Sequence, residues 1–402
     1  MKYVIVVPDG MADRPLEELD GKTPVEAAET PNMDLIASKG VCGMATTFYE
    51  GLPYDSSIAN MSILGFDPRK YFTGRGPLEA ANFGVELNPG DVAMRCNLVT
   101  LKDGVMDDFT AGHISNEDCR QLIAEVNERL GGEGIEFYPG VSYRNLLVLR
   151  KSVEPSSEVR TRMPHNFVGE DVEANMVKVR VDEASKTADL LNRLTRESWE
   201  FLGDHEVNRK RVEEGKKPAN SIWVWGAGVK PDMPSFKDLH GITGSLVSAV
   251  DLLKGLGKIG KMRVLEVEGV TGYLDTNYEG KADAAVESLG EVDFTYVHLE
   301  STDESGHEGN IEHKITAIED IDKRVIGRML DRLEGDYAFI VIPDHPTPIE
   351  VRKHTNEPVP YAVYDTRKEG DSVSSFSERE IMEEGSIPQC EALEILKRTI
   401  RG

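Results

Sequence analysis

Three hydrophobic stretches, far apart in the chain, each run into an aspartate. They are residues 3–7 before Asp9, residues 294–299 before Asp303, and residues 339–342 before Asp344. Histidines follow two of these aspartates closely, namely His307, His345 and His354. Because ligands bind at the carboxyl ends of parallel strands, three strands in one sheet would bring these side chains to one edge. Three carboxylates and three imidazoles at one edge predict a site for two metal ions.

The spacing within each motif fits metal binding. Asp303 and His307 are four residues apart, and a helical turn puts such a pair on one face, where it suits Mn²⁺ or Zn²⁺. Asp344 and His345 are neighbours that would face opposite ways on a strand, so the pair is expected in the loop beyond it. Taken alone, the first motif also describes a helix cap with a surface histidine, and the second a turn with incidental histidines.

Two serines, Ser56 and Ser57, lie in a loop after the first strand and helix. Loop serines are usually ordinary polar residues. Near a pair of metal ions, however, a serine oxygen can lose its proton and attack phosphorus. The two serines are therefore candidate nucleophiles of a phosphoryl-transfer reaction.

Composition narrows the class of protein. The 402 residues carry a formal net charge of −25, which argues against binding nucleic acid or an anionic membrane surface. The four cysteines form no Cys-x-x-Cys pair, and free thiols fit a reducing cytoplasm. The first residues lack the apolar run of a signal peptide, and no segment has the length of a membrane span. These features predict a cytoplasmic enzyme with a small-molecule substrate and no nucleic-acid or membrane partner. They do not indicate an oligomeric state.

The order of predicted elements indicates an α/β fold. Strands and helices alternate near both ends, which predicts a parallel-sheet core flanked by helices, built from residues 1–75 and 220–402. Residues 76–219 are predicted to form a smaller inserted α+β domain. Within these parts we expect a core strand at 222–225, a helix at 244–256 and a solvated charged connector at 208–217.

Several motifs together resemble the archaeal-type cofactor-independent phosphoglycerate mutases of the alkaline phosphatase superfamily. The motifs are residues 8–15, 30–34, 62–68, 74–76, 302–307 and 344–348, with His354. The resemblance implies an alkaline phosphatase-like core and two divalent metal ions, Mn²⁺ or Zn²⁺, with Mg²⁺ as a further option. It implies that Asp303, His307 and His354 hold one ion. It implies that Asp9, Asp344, His345 and the nucleophilic serine hold the other, and that this serine carries the phosphoryl group transiently.

The serine motif departs from the family. Its usual form is Gly-Ser-Asp, an apolar residue and then Ala, and counting back from Ala59 puts the nucleophile at Ser56. Here the loop reads Asp55-Ser56-Ser57, so the aspartate lies on the other side. Ser57 therefore stays an alternative nucleophile.

A second departure concerns the substrate. Mutases of the family resemble one another in a stretch Asp-Arg-Arg-Ala-Gly-Arg, whereas this chain reads Asp108-Phe109-Thr110-Ala111-Gly112-His113. Glu300 stands where these mutases tend to have a lysine. Arginine forks grip phosphate and carboxylate in a bidentate way, so their loss is expected to weaken binding of a trianionic substrate. Arg75, His113, Arg144 and His165 are the candidate substrate contacts.

These changes resemble a subgroup of the family that is proposed to be homoserine kinase. The similar segments are residues 111–115, 138–144, 219–223, 274–278 and 306–309. The sequence therefore favours a two-metal phosphotransferase that makes O-phosphohomoserine from L-homoserine and ATP. The alternative is a 2,3-bisphosphoglycerate-independent phosphoglycerate mutase, which interconverts 2- and 3-phosphoglycerate. A hydrolase of phosphate or sulfate esters, and a binding protein without activity, are the remaining readings.

Overall fold

The computed structural model describes residues 1–371 and 373–402. Contacts divide them into two compact units. The first unit is Met1–Phe72 with Met233–Gly402, and the second is Thr73–Asp232. The fold is of the mixed α/β class, as predicted.

The elements of the described residues follow in chain order. The strands are β1 Lys2–Pro8, β2 Val41–Thr46, β3 Val92–Lys102, β4 Val105–Asp108, β5 Ile135–Val141, β6 Arg144–Leu149, β7 Val159–Arg160, β8 Lys178–Val179, β9 Ser221–Gly228, β10 Gly244–Val247, β11 Arg263–Val264, β12 Phe294–Leu299, β13 Tyr337–Val341, β14 Val359–Asp365 and β15 Ile387–Glu391. The helices are α1 Pro24–Ala27, α2 Pro31–Lys39, α3 Ser56–Ile63, α4 Pro68–Tyr71, α5 Arg75–Asn82, α6 Asn116–Leu130, α7 Ser185–Leu202, α8 Glu206–Glu213, α9 Phe236–His240, α10 Asp251–Ile259, α11 Tyr278–Ser288, α12 Ser301–Glu308, α13 Ile311–Asp320, α14 Arg328–Arg332, α15 Glu378–Glu384 and α16 Ile395–Arg401.

The first unit is built on an eight-stranded sheet, in the order β11-β10-β12-β1-β13-β14-β2-β15. Strand β1 lies in the middle and pairs in parallel with β12 on one side and β13 on the other. Their apolar side chains, such as Val6, Val297 and Val341, are fully buried, because helices cover both faces of such a sheet. The prediction that the three aspartate-terminated strands share one sheet is confirmed.

The second unit contains an antiparallel sheet in the order β4-β3-β6-β5, and β9 also pairs with β3. Helices α6 and α7 contribute Leu122, Leu191 and Leu194 to its core. The strand predicted at 222–225 is part of β9, which pairs Val224 with Cys96. It therefore belongs to the second unit and not to the first sheet. A buried apolar strand looks the same in sequence whichever sheet it joins.

Two other predicted elements differ from the structure. The helix predicted at 244–256 is a strand, β10, followed by α10, because the short apolar run Gly244–Val247 pairs with β12. The charged stretch 208–217 begins inside a helix, α8, and not in a solvated connector. Arg211 is buried there and donates hydrogen bonds to the carbonyl of Ala111 and the carboxylate of Asp118. Long charged side chains can pack their stems while pairing their heads.

Among the described helices, none combines the length and the apolar character that crossing a membrane requires.

Candidate metal centre

The carboxyl edge of the first sheet gathers the three aspartates. Asp9 follows β1, Asp303 lies in the first turn of α12 just after β12, and Asp344 follows β13. Gly10 makes this approach possible: its φ is +62°, and a Cβ there would lie 2.5 Å from an Asp303 carboxylate oxygen. Its amide also donates to Asp344 Oδ1 at 3.0 Å. The backbone at this glycine therefore ties two strand ends together.

One donor group consists of Asp303, His307 and His354. The Nε2 atoms of the two histidines lie 3.3 and 3.5 Å from the Asp303 carboxylate oxygens, and 3.1 Å from each other. The Nδ1 atom of His307 donates to the carbonyl of Arg352, and that of His354 to the carbonyl of Tyr54. Backbone carbonyls thus fix both rings with Nε2 toward the carboxylate, the arrangement of metal-binding histidines.

A second donor group consists of Asp9, Asp344, His345 and Ser56. His345 Nε2 lies 3.3 Å from Asp9 Oδ1, 3.5 Å from Asp344 Oδ2 and 3.2 Å from Ser56 Oγ. The His345 ring is fully buried and stacks on that of Phe48. All seven residues predicted as metal ligands therefore converge at one edge of the sheet.

The donor set fits divalent metal ions. Two donor atoms at about 2.1 Å from a shared ion stand about 3.0 Å apart on an octahedral edge and about 3.4 Å apart on a tetrahedral edge. The separations between 3.1 and 3.5 Å match such edges. Asp9 Oδ1 is also buried without a hydrogen-bond partner among the described residues. Buried carboxylate oxygens are normally paired, so this atom calls for a cation.

The electrostatics separate the two groups. Burial, and then the charges of Asp344 and Asp303, raise the pKa of Asp9 well above its usual range. Burial also opposes ionisation of Asp303, but hydrogen bonds from His307 and His354 outweigh it and hold its pKa well below the usual range. Burial lowers the pKa of His345 to about 4, so this ring presents a free lone pair at neutral pH.

The structure distinguishes the two serines. Ser56 is the first residue of α3, and its Oγ lies beside the donor atoms. Ser57 is fully buried, and its Oγ donates to Asp55 Oδ1 at 2.5 Å. Asp55 also caps α3 by accepting from the Ser57 amide. The aspartate that stands on the unexpected side of the serine thus occupies Ser57 and leaves Ser56 facing the metal ligands.

Sequence reasoning missed a buried polar group behind the second donor group. His298 Nε2 lies 3.3 Å from Asp9 Oδ2, and His298 Nδ1 lies 3.2 Å from Glu300 Oε1. Glu300 pairs with Lys281 at 2.7 Å, and both side chains are buried. The glutamate predicted to cost the site a cation is therefore matched by a lysine that comes from α11. The pattern offered a weak signal, since His298 interrupts an otherwise apolar strand.

The four candidate substrate contacts all lie in the second unit. Ring and guanidinium contacts link them to a shared set of aromatic side chains: Arg75 and His165 to Trp225, His165 to Phe109, and His113 and Arg144 to Tyr143. Sequence reasoning missed Arg95, which is buried and shares one Glu79 carboxylate oxygen with Arg75. An arginine within the apolar strand β3 was its only signal.

Comparisons with known proteins agree with the motifs. A family profile described as 2,3-bisphosphoglycerate-independent phosphoglycerate mutase matches residues 37–208. The protein of that name from Methanosarcina barkeri is 47% identical over 400 residues, covering 98% of each chain.

Two solved structures, each 29% identical and covering all of this chain, resemble the fold. A Pyrococcus horikoshii protein has a TM-score of 0.82, with 96% of its own length covered. The cofactor-independent phosphoglycerate mutase of Thermoplasma acidophilum has a TM-score of 0.67, with 100% covered. Nothing in these likenesses supports the homoserine kinase subgroup. The chain belongs to the 2,3-bisphosphoglycerate-independent phosphoglycerate mutase family of enzymes.

Proposed function

We propose that this enzyme interconverts 2- and 3-phosphoglycerate through a phosphorylated Ser56. The observation that carries the proposal is the position of Ser56 Oγ, 3.2 Å from His345 Nε2 within the donor set. A hydroxyl held among metal ligands is placed to act as a nucleophile, whereas Ser57 is engaged by Asp55. The name of the Methanosarcina barkeri relative favours this reaction over phosphorylation of homoserine.

The chain's own groups supply most of this chemistry. Divalent ions bound here, Mn²⁺, Zn²⁺ or Mg²⁺, would lower the pKa of the serine hydroxyl and neutralise charge on the phosphoryl oxygens. Asn60 Nδ2 donates to Asp344 Oδ2 at 2.7 Å, one helical turn after Ser56, and so fixes the carboxylate relative to the nucleophile. Ser56 also begins α3, where unpaired backbone amides favour a developing negative charge.

Arginines from separate segments support an anionic substrate. Arg75 and Arg95 share the single carboxylate of Glu79, so this cluster keeps a net positive charge. Arg95 Nε is buried without a hydrogen-bond partner among the described residues, although guanidinium groups in proteins are normally paired. Arg144 adds a third, exposed guanidinium on β6. These cations can replace the arginines missing from residues 108–113, and they suit phosphoglycerate better than a neutral zwitterion.

Homoserine kinase is the second candidate function. Phe109, Thr110 and His113 stand where the family's mutases have arginines, and an aromatic surface suits a less charged acceptor. This function would require ATP as phosphoryl donor, which the mutase reaction does not need.

Phosphorus NMR in parallel tubes separates the two functions. Purified protein loaded with Mn²⁺ receives 3-phosphoglycerate in one tube, and ATP with L-homoserine in the other. We expect a 2-phosphoglycerate signal in the first tube and no new phosphomonoester in the second. Loading with Zn²⁺ or Mg²⁺ ranks the metals, and a chelator-treated sample is the control. A phosphomonoester with ADP in the second tube alone would replace the mutase with the kinase, and release of inorganic phosphate alone would indicate a hydrolase.

Replacing Arg144 by alanine is expected to raise the KM for 3-phosphoglycerate by about tenfold to 100-fold. A hydrogen bond to a charged group contributes about 1.5–3 kcal/mol, and this exposed guanidinium is free of structural ion pairs in the described residues. Arg129→Ala is the matched control, because its guanidinium also lies 4.9 Å from an aromatic ring centroid, that of Phe201. Initial-rate kinetics and thermal unfolding are measured for both variants. An Arg144→Ala enzyme with an unchanged KM would remove this arginine from the substrate site.

A further inference from the structure

His298 lies next to the second donor group but belongs to none of the family motifs identified above. It is the fifth residue of the six-residue strand β12 and is fully buried. Its Nε2 lies 3.3 Å from Asp9 Oδ2. Donor atoms of Asp9, His298 and Asp344 all lie within 4.8 Å of one another. The ring is therefore within reach of an ion bound between the two aspartates.

The opposite side of the His298 ring faces a carboxylate. Glu300 Oε1 lies 3.2 Å from His298 Nδ1 and also accepts hydrogen bonds from Ser248 Oγ and the Ala249 amide. Its other oxygen accepts from the buried Lys281 ammonium at 2.7 Å, which also donates to the His298 carbonyl at 3.0 Å. A carboxylate that accepts this many hydrogen bonds stays ionised, so His298 Nδ1 must carry a proton and donate it.

With the proton on Nδ1, the Nε2 lone pair of a neutral imidazole faces Asp9. His298 Nε2 and Asp9 Oδ1 are both buried without hydrogen-bond partners among the described residues. Two sets of lone pairs would then oppose each other in the interior, which is unfavourable unless a cation lies between them. A histidine that donates its other ring N–H to a carboxylate is also the usual form of a metal-binding histidine.

We propose that His298 Nε2 is a ligand of the ion held by Asp9 and Asp344, and that Glu300 and Lys281 set the tautomer and orientation of its ring. The inference rests on the two-metal site of the proposed function. It adds a ligand from β12 to a group drawn otherwise from the segments that follow β1 and β13 and from the start of α3. It also gives Glu300 a role: the residue that stands in place of a lysine orients a ligand.

The competing interpretation is an imidazolium that donates to both Glu300 and Asp9 and only positions Asp9. The two interpretations differ in the behaviour of His298→Gln. A glutamine amide can donate a hydrogen bond to Asp9, so it would preserve a positioning role. It lacks the imidazole nitrogen, so it would not replace a ligand.

Metal binding without substrate tests the inference. Metal-free protein is titrated calorimetrically with Mn²⁺ and with Zn²⁺, and the bound metal is counted by mass spectrometry. We expect two ions in the wild type. In His298→Ala and His298→Gln we expect one ion at wild-type affinity and the second weakened by about 100-fold or more. Glu300→Gln should weaken the same ion by about 10- to 100-fold, the usual effect of losing an outer-shell partner.

A matched control and a spectroscopic readout sharpen the result. His240 lies in the same unit and bonds the Leu64 carbonyl, so His240→Gln should leave both ions unchanged. In the Co²⁺-loaded protein, the visible absorption bands should change in His298→Gln and not in His240→Gln. Thermal unfolding and circular dichroism check the folding of each variant, and the isosteric Glu300→Gln remains informative if His298→Ala does not fold.

Wild-type affinity for both ions in His298→Gln would overturn the inference, and with a weakened second ion in His298→Ala it would leave His298 a positioning residue. Failure of the proposed function looks different. A wild-type protein that binds two ions but does not interconvert phosphoglycerates would leave the ligand assignment intact. A wild-type protein that binds fewer than two ions would overturn both.

Discussion

Replacing Ser56 by alanine is expected to abolish the interconversion of phosphoglycerates, with a loss in kcat on the order of 10⁴-fold or more. The physical reason is the loss of the oxygen that carries the phosphoryl group, since Ser56 Oγ lies 3.2 Å from His345 Nε2 and within the donor set. Folding should be little affected, because Asp55, not Ser56, caps α3. Phosphorus NMR of the Mn²⁺-loaded variant with 3-phosphoglycerate measures the loss, and acid quenching with ³²P-labelled substrate should trap label on the wild-type chain only.

Ser57→Ala is the matched control for this prediction. The variant loses the hydrogen bond to Asp55, which is about 1 kcal/mol of stability, and should keep most of its turnover. Retained activity in Ser56→Ala, together with loss in Ser57→Ala, would move the nucleophile by one position. Loss in both variants with normal unfolding temperatures would instead show that the Asp55–Ser57 contact orients Ser56.

The main features of the metal centre could be predicted because they depend on short, local patterns. An apolar run of five or six residues that ends in an acid identifies a buried strand and its functional end at once, as for Asp9 and Asp344. Parallel pairing of β1 with β12 and β13 then brings the strand ends together without further information. Loop histidines such as His345 follow these ends directly, so their convergence needed no knowledge of distant contacts.

The missed residues depend on contacts that no local pattern shows. His298 lies in the apolar strand β12, and its environment is completed by Lys281, seventeen residues away in sequence number from its carbonyl contact. Arg95 is similar, since its carboxylate partner Glu79 comes from the preceding helix α5. A charged residue in an apolar strand signals a buried network, but the sequence does not show which partner compensates it.

The preference for homoserine kinase came from the same limitation. The sequence showed that arginines are missing from residues 108–113, and the expected consequence was a weaker grip on a trianionic substrate. The structure places Arg75 and Arg95 around one carboxylate, although they come from a helix and a strand. Loss of cations from one motif therefore does not mean loss of cations from the unit. The reaction has to be argued from the charges that meet in space.

Lys314→Met is expected to destabilise the protein by about 3–5 kcal/mol, the usual cost of leaving one partner of a buried ion pair without the other. Lys314 Nζ lies 2.8 Å from Asp13 Oδ2, and neither side chain is exposed. The ammonium also donates to the Thr347 carbonyl at 2.9 Å, and Thr347 Oγ1 donates to Asp303 Oδ1 at 2.5 Å. The pair therefore supports the loop that follows Asp344, so metal affinity should fall together with stability.

Urea unfolding of a double-mutant cycle measures this effect. The variant Asp13→Asn with Lys314→Met should lose less stability than the sum of the two single variants, because it leaves no uncompensated buried charge. Lys323→Met is the matched control, since Lys323 is exposed and its replacement should change stability by less than about 0.5 kcal/mol. A loss below about 1 kcal/mol in Lys314→Met would mean that the interior relaxes around Asp13, and that the loop bearing the metal ligands is held by its backbone contacts alone.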